Sequence, residues 1–277
     1  MIDKHIDWAT GYGIDFFLIN WPGRGGYQDE ALKIFSDSYL VRRGDIKFAM
    51  LYESIWRLRD SNPGWNLPDS YNVETLKRDF EYILTEYGNN PSYLKINRRP
   101  FLYIYEGKGF FGDIDMITKI KEKFGLFLVS DHAHPLADPS TVFRGSVWGD
   151  VANKFDAIMP GGGVYVPEKV AEWESYKREG FQKWSIFCQN HGIIFIPDVT
   201  VGISYKHCPW GEKDWPPVIR STEKFRERIL TALLFVDKNI PILVISEFNN
   251  FFEDAYIEPS IIDSFNYLNV LKAVLMD

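Results

Sequence analysis

The 277-residue chain has two cysteines, no apolar stretch long enough to span a membrane, and no excess of positive charge. Each shortage excludes something. Cys188 and Cys208 fall in different predicted elements and at no metal-type spacing. They therefore provide neither a disulfide framework nor a zinc site, and each reads as a small buried apolar residue. A bilayer-spanning helix needs about 20 apolar residues, and the N-terminus lacks the apolar core of a secretion signal. The expected location is the cytoplasm. The one Asn-x-Ser pattern, Asn90-Pro91-Ser92, has proline in the middle and is no glycosylation acceptor. With 31 basic against 38 acidic residues, a net charge of −7, there is no basic footprint for nucleic acid or an anionic membrane. Repeats, low-complexity segments and interdomain linkers are likewise absent.

What is present is an apolar chain rich in rings: 45% hydrophobic and 16% aromatic. That is enough for one large core, and a single domain over 1–277 is expected at this length. Unbroken apolar runs of strand length recur at Ile14–Ile19, Lys47–Tyr52, Phe101–Tyr105, Leu126–Ser130, Phe155–Met159, Ile193–Val199 and Pro241–Ser246. Runs without polar alternation suit a parallel sheet covered on both faces. Helical stripes lie between them: Leu76, Phe80, Ile83 and Leu84; Ile114, Ile117 and Ile120; Phe225, Ile229, Ala232, Leu233 and Val236; Ile261, Phe265, Leu268 and Leu275, with Pro259 near the start of the last helix. Strand-helix alternation of this kind predicts an α/β fold, a TIM-type (β/α)8 barrel. Seven strands are read, not eight, and a helix-like segment with Ile2, Ile6 and Ala9 on one face comes first. The reading is a barrel lacking its first strand. An open edge carries unpaired backbone groups, so a homo-oligomer across that edge is an expected partner arrangement.

In a parallel barrel the active face lies beyond the C-terminal strand ends. There stand Asn20 and Trp21; Glu53 and Trp56; Tyr105 and Glu106; Asp131, His132 and His134; Tyr165; Asp198, Tyr205 and His207; Glu247, Asn249, Asn250 and Glu253. Nearly every strand end delivers a carboxylate or a ring to one rim, a composition suited to a sugar cleft. Trp21, Trp210 and Trp215, beside Gly or Pro, are the candidate rim tryptophans, while Trp56 and Trp148 divide between core and rim. Cleaving a glycosidic bond takes a general acid of raised pKa and a second group, usually carboxylate. Glu253 suits the acid, because Phe251, Phe252, Tyr256 and Ile257 surround it in sequence and apolar neighbours disfavour the charged form. Asp131, His132, His134 and His207 allow a rival reading as a metal-dependent hydrolase. Gly161-Gly162-Gly163 fits a turn and not a phosphate loop, since no Lys-Ser/Thr follows.

The segment Ser246-Glu247-Phe248-Asn249-Asn250-Phe251-Phe252-Glu253-Asp254-Ala255-Tyr256-Ile257-Glu258-Pro259 resembles the Phe-Asn-Glu-Trp-x-Glu-x-x-x-Ile-Glu-Pro signature of glycoside hydrolase family 99. These are the endo-α-mannosidases, with related WbsX-like proteins found among polysaccharide-assembly genes. Other stretches agree in order: His5 and Gly13-Ile14-Asp15-Phe16 to Trp21, then Arg99-Pro100-Phe101-Leu102-Tyr103-Ile104-Tyr105, then Ile196-Pro197-Asp198-Val199 and Pro209-Trp210. The resemblance implies an α-mannan-type glycan as substrate, no cofactor, and two carboxylates three residues apart. The second, the acid/base, falls on Glu253. The first, which in the family assists the sugar's 2-hydroxyl toward an anhydro-sugar intermediate, falls on Asn250.

An amide is no base, so another carboxylate must complete the site: Glu53 or Glu247, ahead of Asp198. Side chains alternate along a strand, so Glu247 and Asn249 are expected on one face and Asn250 elsewhere. Substrate contacts are expected from Trp21, Asn20, Tyr105, Asp131, His132, Asp198, Tyr205, Asn249, Asn250 and Glu258. Glu258 would also suit the start of the final helix. The expected function is a glycosidase acting on an oligosaccharide or polysaccharide. Its rival is a non-hydrolytic glycan-binding or polysaccharide-assembly protein on the same scaffold.

Overall fold

The computed structural model of the chain describes residues 1–58, 73–105, 107, 114–131, 138–143, 145–160, 166–209 and 211–276, apart from the side chains of Tyr39, Ile55, Trp56 and Phe143. The chain forms two compact units, Met1–His132 with Ser140–Ile158, and Ala133–Pro139 with Met159–Asp277.

The first unit opens with α1 (Ile2–Gly11), which buries Ile6 and Ala9 as their spacing predicts. There follow β1 (Phe16–Trp21), α2 (Tyr27–Asp37), α3 (Tyr39–Arg43), β2 (Lys47–Glu53), α4 (Ser54–Arg57), α5 (Val73–Glu86), β3 (Lys95–Ile96) and β4 (Arg99–Tyr105). The unit continues through α6 (Ile114–Phe124), β5 (Phe127–Ser130), β6 (Val142–Phe143), β7 (Ser146–Val147), α7 (Trp148–Ala152) and β8 (Ala157–Ile158). Strands β1, β2, β4, β5 and β8 pair in that order, all parallel. The register Phe16↔Lys47, Met50↔Leu102, Phe101↔Phe127 and Val129↔Ala157 brings their C-terminal ends to one edge. Buried Phe48, Met50, Leu102, Ile104, Leu128 and Val129 account for the apolar runs. The helices α5 and α6 bury Leu76, Phe80 and Ile83, and Ile117 and Ile120, the stripes read from sequence.

The second unit contains a 3-10 turn (Pro167–Glu172), α8 (Trp173–His191), β9 (Ile194–Phe195), β10 (Asp198–Thr200), α9 (Thr222–Leu233), β11 (Val244–Ser246), β12 (Asn249–Asn250), β13 (Ala255–Tyr256) and α10 (Asn266–Leu275). β10 and β11 pair in parallel, Asp198↔Val244 to Thr200↔Ser246. β12 and β13 form an antiparallel hairpin. All seven predicted strand runs are found. The sixth is split around Ile196-Pro197, where proline supplies no N–H for pairing.

The last helix departs from expectation. It begins at Asn266, not beside Pro259, because the chain first makes a turn in which Ser264 N–H donates to the Ser260 carbonyl (2.8 Å) and Asp263 N–H to Ser260 Oγ (3.0 Å). Tyr267, Leu268 and Leu271 are its buried face, while Ile261 is wholly exposed. On α9, Phe225, Ile229 and Ala232 are buried but Leu233 is exposed.

Candidate functional site

In the first unit the strand ends carry the predicted residues. Glu53 and Tyr105 are register partners at the ends of β2 and β4. Asn20, on the exposed side of β1, donates from Nδ2 to Glu53 Oε2 at 3.2 Å. Glu53 is buried, 7% exposed, so a carboxylate is held near the sheet's C-terminal edge by an amide. Tyr105 is half-buried, and its carbonyl accepts from Ser54 Oγ. Asp131 is fully buried and accepts from the Gly107 N–H at 2.8 Å, which makes it an anchor for the backbone after β4.

Trp21 departs from the rim expectation. It is fully buried, its Nε1–H donates to Asp29 Oδ1 at 2.9 Å, and its ring stacks on Tyr82 at 5.9 Å. Successive side chains on a strand face opposite ways: exposed Asn20 and buried Trp21 are the two faces of β1. The ring has no open face for a sugar. Trp148 is also buried. Glu106, His132, His134, Gly161–Gly163, Tyr165 and Trp210 lie outside the described residues, as does the side chain of Trp56.

In the second unit, β11 ends at Ser246, the Ser246–Glu247 peptide is cis, and the chain then enters the β12–β13 hairpin. The hairpin turn Phe251–Asp254 carries Glu253. It is closed by Phe251 N–H to Asn249 O (3.0 Å), and its position is fixed by Ser204 N–H to Glu253 O (2.7 Å). Asn250 holds Glu253 in two ways: Nδ2 donates to the side-chain Oε2 at 3.0 Å, and Oδ1 accepts from the backbone N–H at 3.3 Å. The Asn250 side chain also interacts with Glu247, favouring its charged form. The expectation that Asn250 points away from Glu247 is thus corrected. Pairing stops after Ser246 and restarts at Asn249, so strict alternation does not run through the segment.

Burial pushes the Glu247 carboxyl up to about 7, the Glu253 carboxylate adds to the rise, and Asn250 opposes it. Of the apolar neighbours of Glu253 in sequence, Phe251 and Phe252 are 49% and 58% exposed, while Tyr256 and Ile257 are buried. Asn249 is exposed. Glu258 is half-buried, and its N–H donates to the Phe248 carbonyl at 2.8 Å. It precedes the start of α10 by a full turn and more, so the helix-start role is withdrawn.

Asp198 lies 1% exposed at the start of β10 and is paired with Lys177 of α8, Nζ to Oδ1 and Oδ2 at 3.1 and 3.2 Å. That pairing neutralises it as a structural carboxylate. Tyr205 packs edge-on to Trp215 at 5.6 Å, and Trp215 is 39% exposed, in keeping with a rim ring. Cys188 and Cys208 are free and buried. Among the described residues no group of three or more His, Cys, Asp and Glu is arranged to hold a metal, and no helix is long and apolar enough to cross a membrane. Sequence reasoning missed Lys177 and Arg220, whose partners are remote in the chain and leave no local pattern.

No protein-family model matches the chain, and no curated protein does. Solved structures do. The chain is similar to a GH99 endo-α-mannosidase from Bacteroides thetaiotaomicron, with 17% identity and a TM-score of 0.66 over 100% of this chain and 78% of that one. It is similar to a glycoside hydrolase-like protein, with 16% identity and a TM-score of 0.68 over 98% and 84%. A glycoside hydrolase family 5 mannosidase from Rhizomucor miehei aligns at 10% identity and a TM-score of 0.57, over 98% and 85%. Likeness at these identities is likeness of fold. The fold class is the TIM-type α/β barrel.

Proposed function

We propose that the protein is a glycoside hydrolase cleaving an α-linked glycan, with Glu253 as general acid/base and Glu247 as the second carboxyl. The observation that carries this reading is the Glu247–Asn250–Glu253 group: two carboxyls, one with its pKa raised to about 7, both in touch with one amide. Glycosidic cleavage needs a proton at the leaving oxygen and a second group acting on the anomeric side. Glu253 delivers a proton to the leaving oxygen as the C–O bond breaks. Ionised Glu247 then draws a proton from the sugar's 2-hydroxyl or from water. Asn250 keeps Glu253 in place and leaves the base's role to Glu247.

The resemblance to endo-α-mannosidases favours an α-mannoside within an oligosaccharide or polysaccharide. Tyr205, Asn249 and Glu258 are the proposed substrate contacts. The test is Glu253→Gln: turnover of α-mannan fragments or aryl α-glycosides disappears while glycan binding persists. Unchanged turnover sinks the assignment.

A second reading, a glycan-binding protein without hydrolysis, is favoured by Asn250 standing where the family signature has a carboxylate. It requires oligosaccharide binding without turnover, unaltered by Asn250→Glu.

A further inference from the structure

The turn that carries Glu253 is held from outside the hairpin by the Ser204 N–H and by the side chain of Arg220. Arg220, just before the N-cap Ser221 of α9, has a side chain only 10% exposed. Its Nη1 donates to the Asp254 carbonyl at 3.0 Å and lies 3.4 Å from Asp254 Oδ1, while Nη2 donates to Asp263 Oδ2 at 2.7 Å. The guanidinium carbon lies 3.6 Å from the Tyr256 ring centre and 4.5 Å from that of Tyr267. Phe251 stacks on Tyr256 at 4.3 Å and 32°. Two groups this close to one ring must take opposite faces. The order is therefore Phe251, Tyr256, Arg220, Tyr267, and the stack includes the first residue of the turn.

Three further details point the same way. Asp254 adopts φ +54°, a left-handed backbone that costs energy in a residue other than glycine. Arg220 binds both its carbonyl and its carboxylate. Asp263 is itself fixed by Tyr256 OH at 2.9 Å, so the arginine fork is held at both ends. Gly202 makes room: a Cβ there would meet Arg220 Cβ at 2.9 Å. With the Asp254 and Asp263 side chains 47% and 20% exposed, these ion pairs add little stability. Their geometric fixity is the better reason for them, and only a planar, forked donor reaches a carbonyl and two carboxylates while stacked between rings.

We propose that Arg220 is a positioning residue: it sets the backbone of the Phe251–Asp254 turn, and through it the placement of the Glu253 carboxyl. This rests on the reading of Glu253 as the acid/base.

The test compares Arg220→Lys and Asp263→Asn with Glu253→Gln, all in the full chain, measuring kcat, KM and melting temperature. Arg220→Lys keeps a cation between the tyrosines but loses the fork. A small misplacement of a catalytic group lowers kcat by about 100-fold while leaving KM within about threefold. Asp263→Asn, which loosens the same fork without touching Arg220, lowers kcat in the same direction by about 10-fold. A variant that keeps wild-type kcat overturns the proposal. So does a loss of kcat that merely tracks the loss of folded, glycan-binding protein. Turnover retained in Glu253→Gln overturns the catalytic reading and the positioning role with it. An inactive Glu253→Gln beside a fully active Arg220→Lys overturns the positioning role alone. Should no glycan be hydrolysed by the wild type, the carboxyl 13C shift of Glu253 decides. Its displacement in Arg220→Lys supports the proposal, and an unchanged shift overturns it.

Discussion

Two carboxylate groups in the second unit invite comparison. Asp198 sits at the start of β10 with Lys177 ammonium against both oxygens. Glu247 and Glu253, beyond the end of β11, share an amide. Asp198 is buried and the two glutamates are half-buried, and the chemistry of the neighbour separates the groups. A cation compensates the charge of a buried carboxylate. An amide cannot carry charge. It orients Glu253 but leaves burial and like-charge repulsion to lift Glu247 to about 7. The first arrangement is a structural pair, and the second retains a usable proton. Strongly displaced carboxyls of the second kind are where acid/base chemistry is sought.

The largest expected effect is at the amide-linked pair. Glu253→Gln lowers turnover by about 10³–10⁴-fold with glycan affinity retained, measured by kinetics and calorimetry. At the cation-linked pair the loss is of a different kind. Lys177→Met strands the Asp198 charge and destabilises the fold by about 3–5 kcal/mol in denaturant melts, with kcat per folded molecule unchanged. A fall in kcat at constant stability would collapse the distinction between the two groups.

Next comes Glu247→Gln. The folded carboxyl has its pKa raised from 4.5 to about 7, so the native state holds an extra proton in that window. Its contribution to stability is therefore full below about pH 4.5 and is lost as pH rises through 7, by roughly 1–3 kcal/mol. Wild type minus Glu247→Gln stability, measured from pH 4 to 8, should decline over that interval. A flat difference would place Glu247 with ordinary surface carboxylates. The smallest effect belongs to Asn250→Ala. Because the amide favours the charged form, its loss raises the Glu247 midpoint further in the carboxyl 13C titration.

Much of the fold was legible in the sequence, because buried parallel strands leave unbroken apolar runs and amphipathic helices leave stripes. Errors came where a local rule met a tertiary exception. Pro259 marked a turn instead of a helix start, since Ser260 and Asp263 close their own hydrogen-bonded loop first. Trp21 beside Pro22 looked like a rim ring, yet strand alternation turns it inward while Asn20 faces out. Glu253, Glu247 and Asn250 were identifiable from a local motif. Which of the two carboxyls has its pKa raised was not, because that depends on the tertiary surroundings of Glu247 and not on the residues next to Glu253 in sequence. Arg220 was invisible for another reason. Its ligands Asp254, Tyr256, Asp263 and Tyr267 lie 34 or more residues away, so no spacing betrays it.

The most direct test of the central claim, that Glu247 keeps a proton toward neutral pH, is a carboxyl 13C titration of Glu247 in the wild-type protein. A midpoint near 7, falling when Glu253 is replaced by Gln, is the predicted result. A midpoint in the ordinary glutamate range, near 4, unaffected by that replacement, contradicts it.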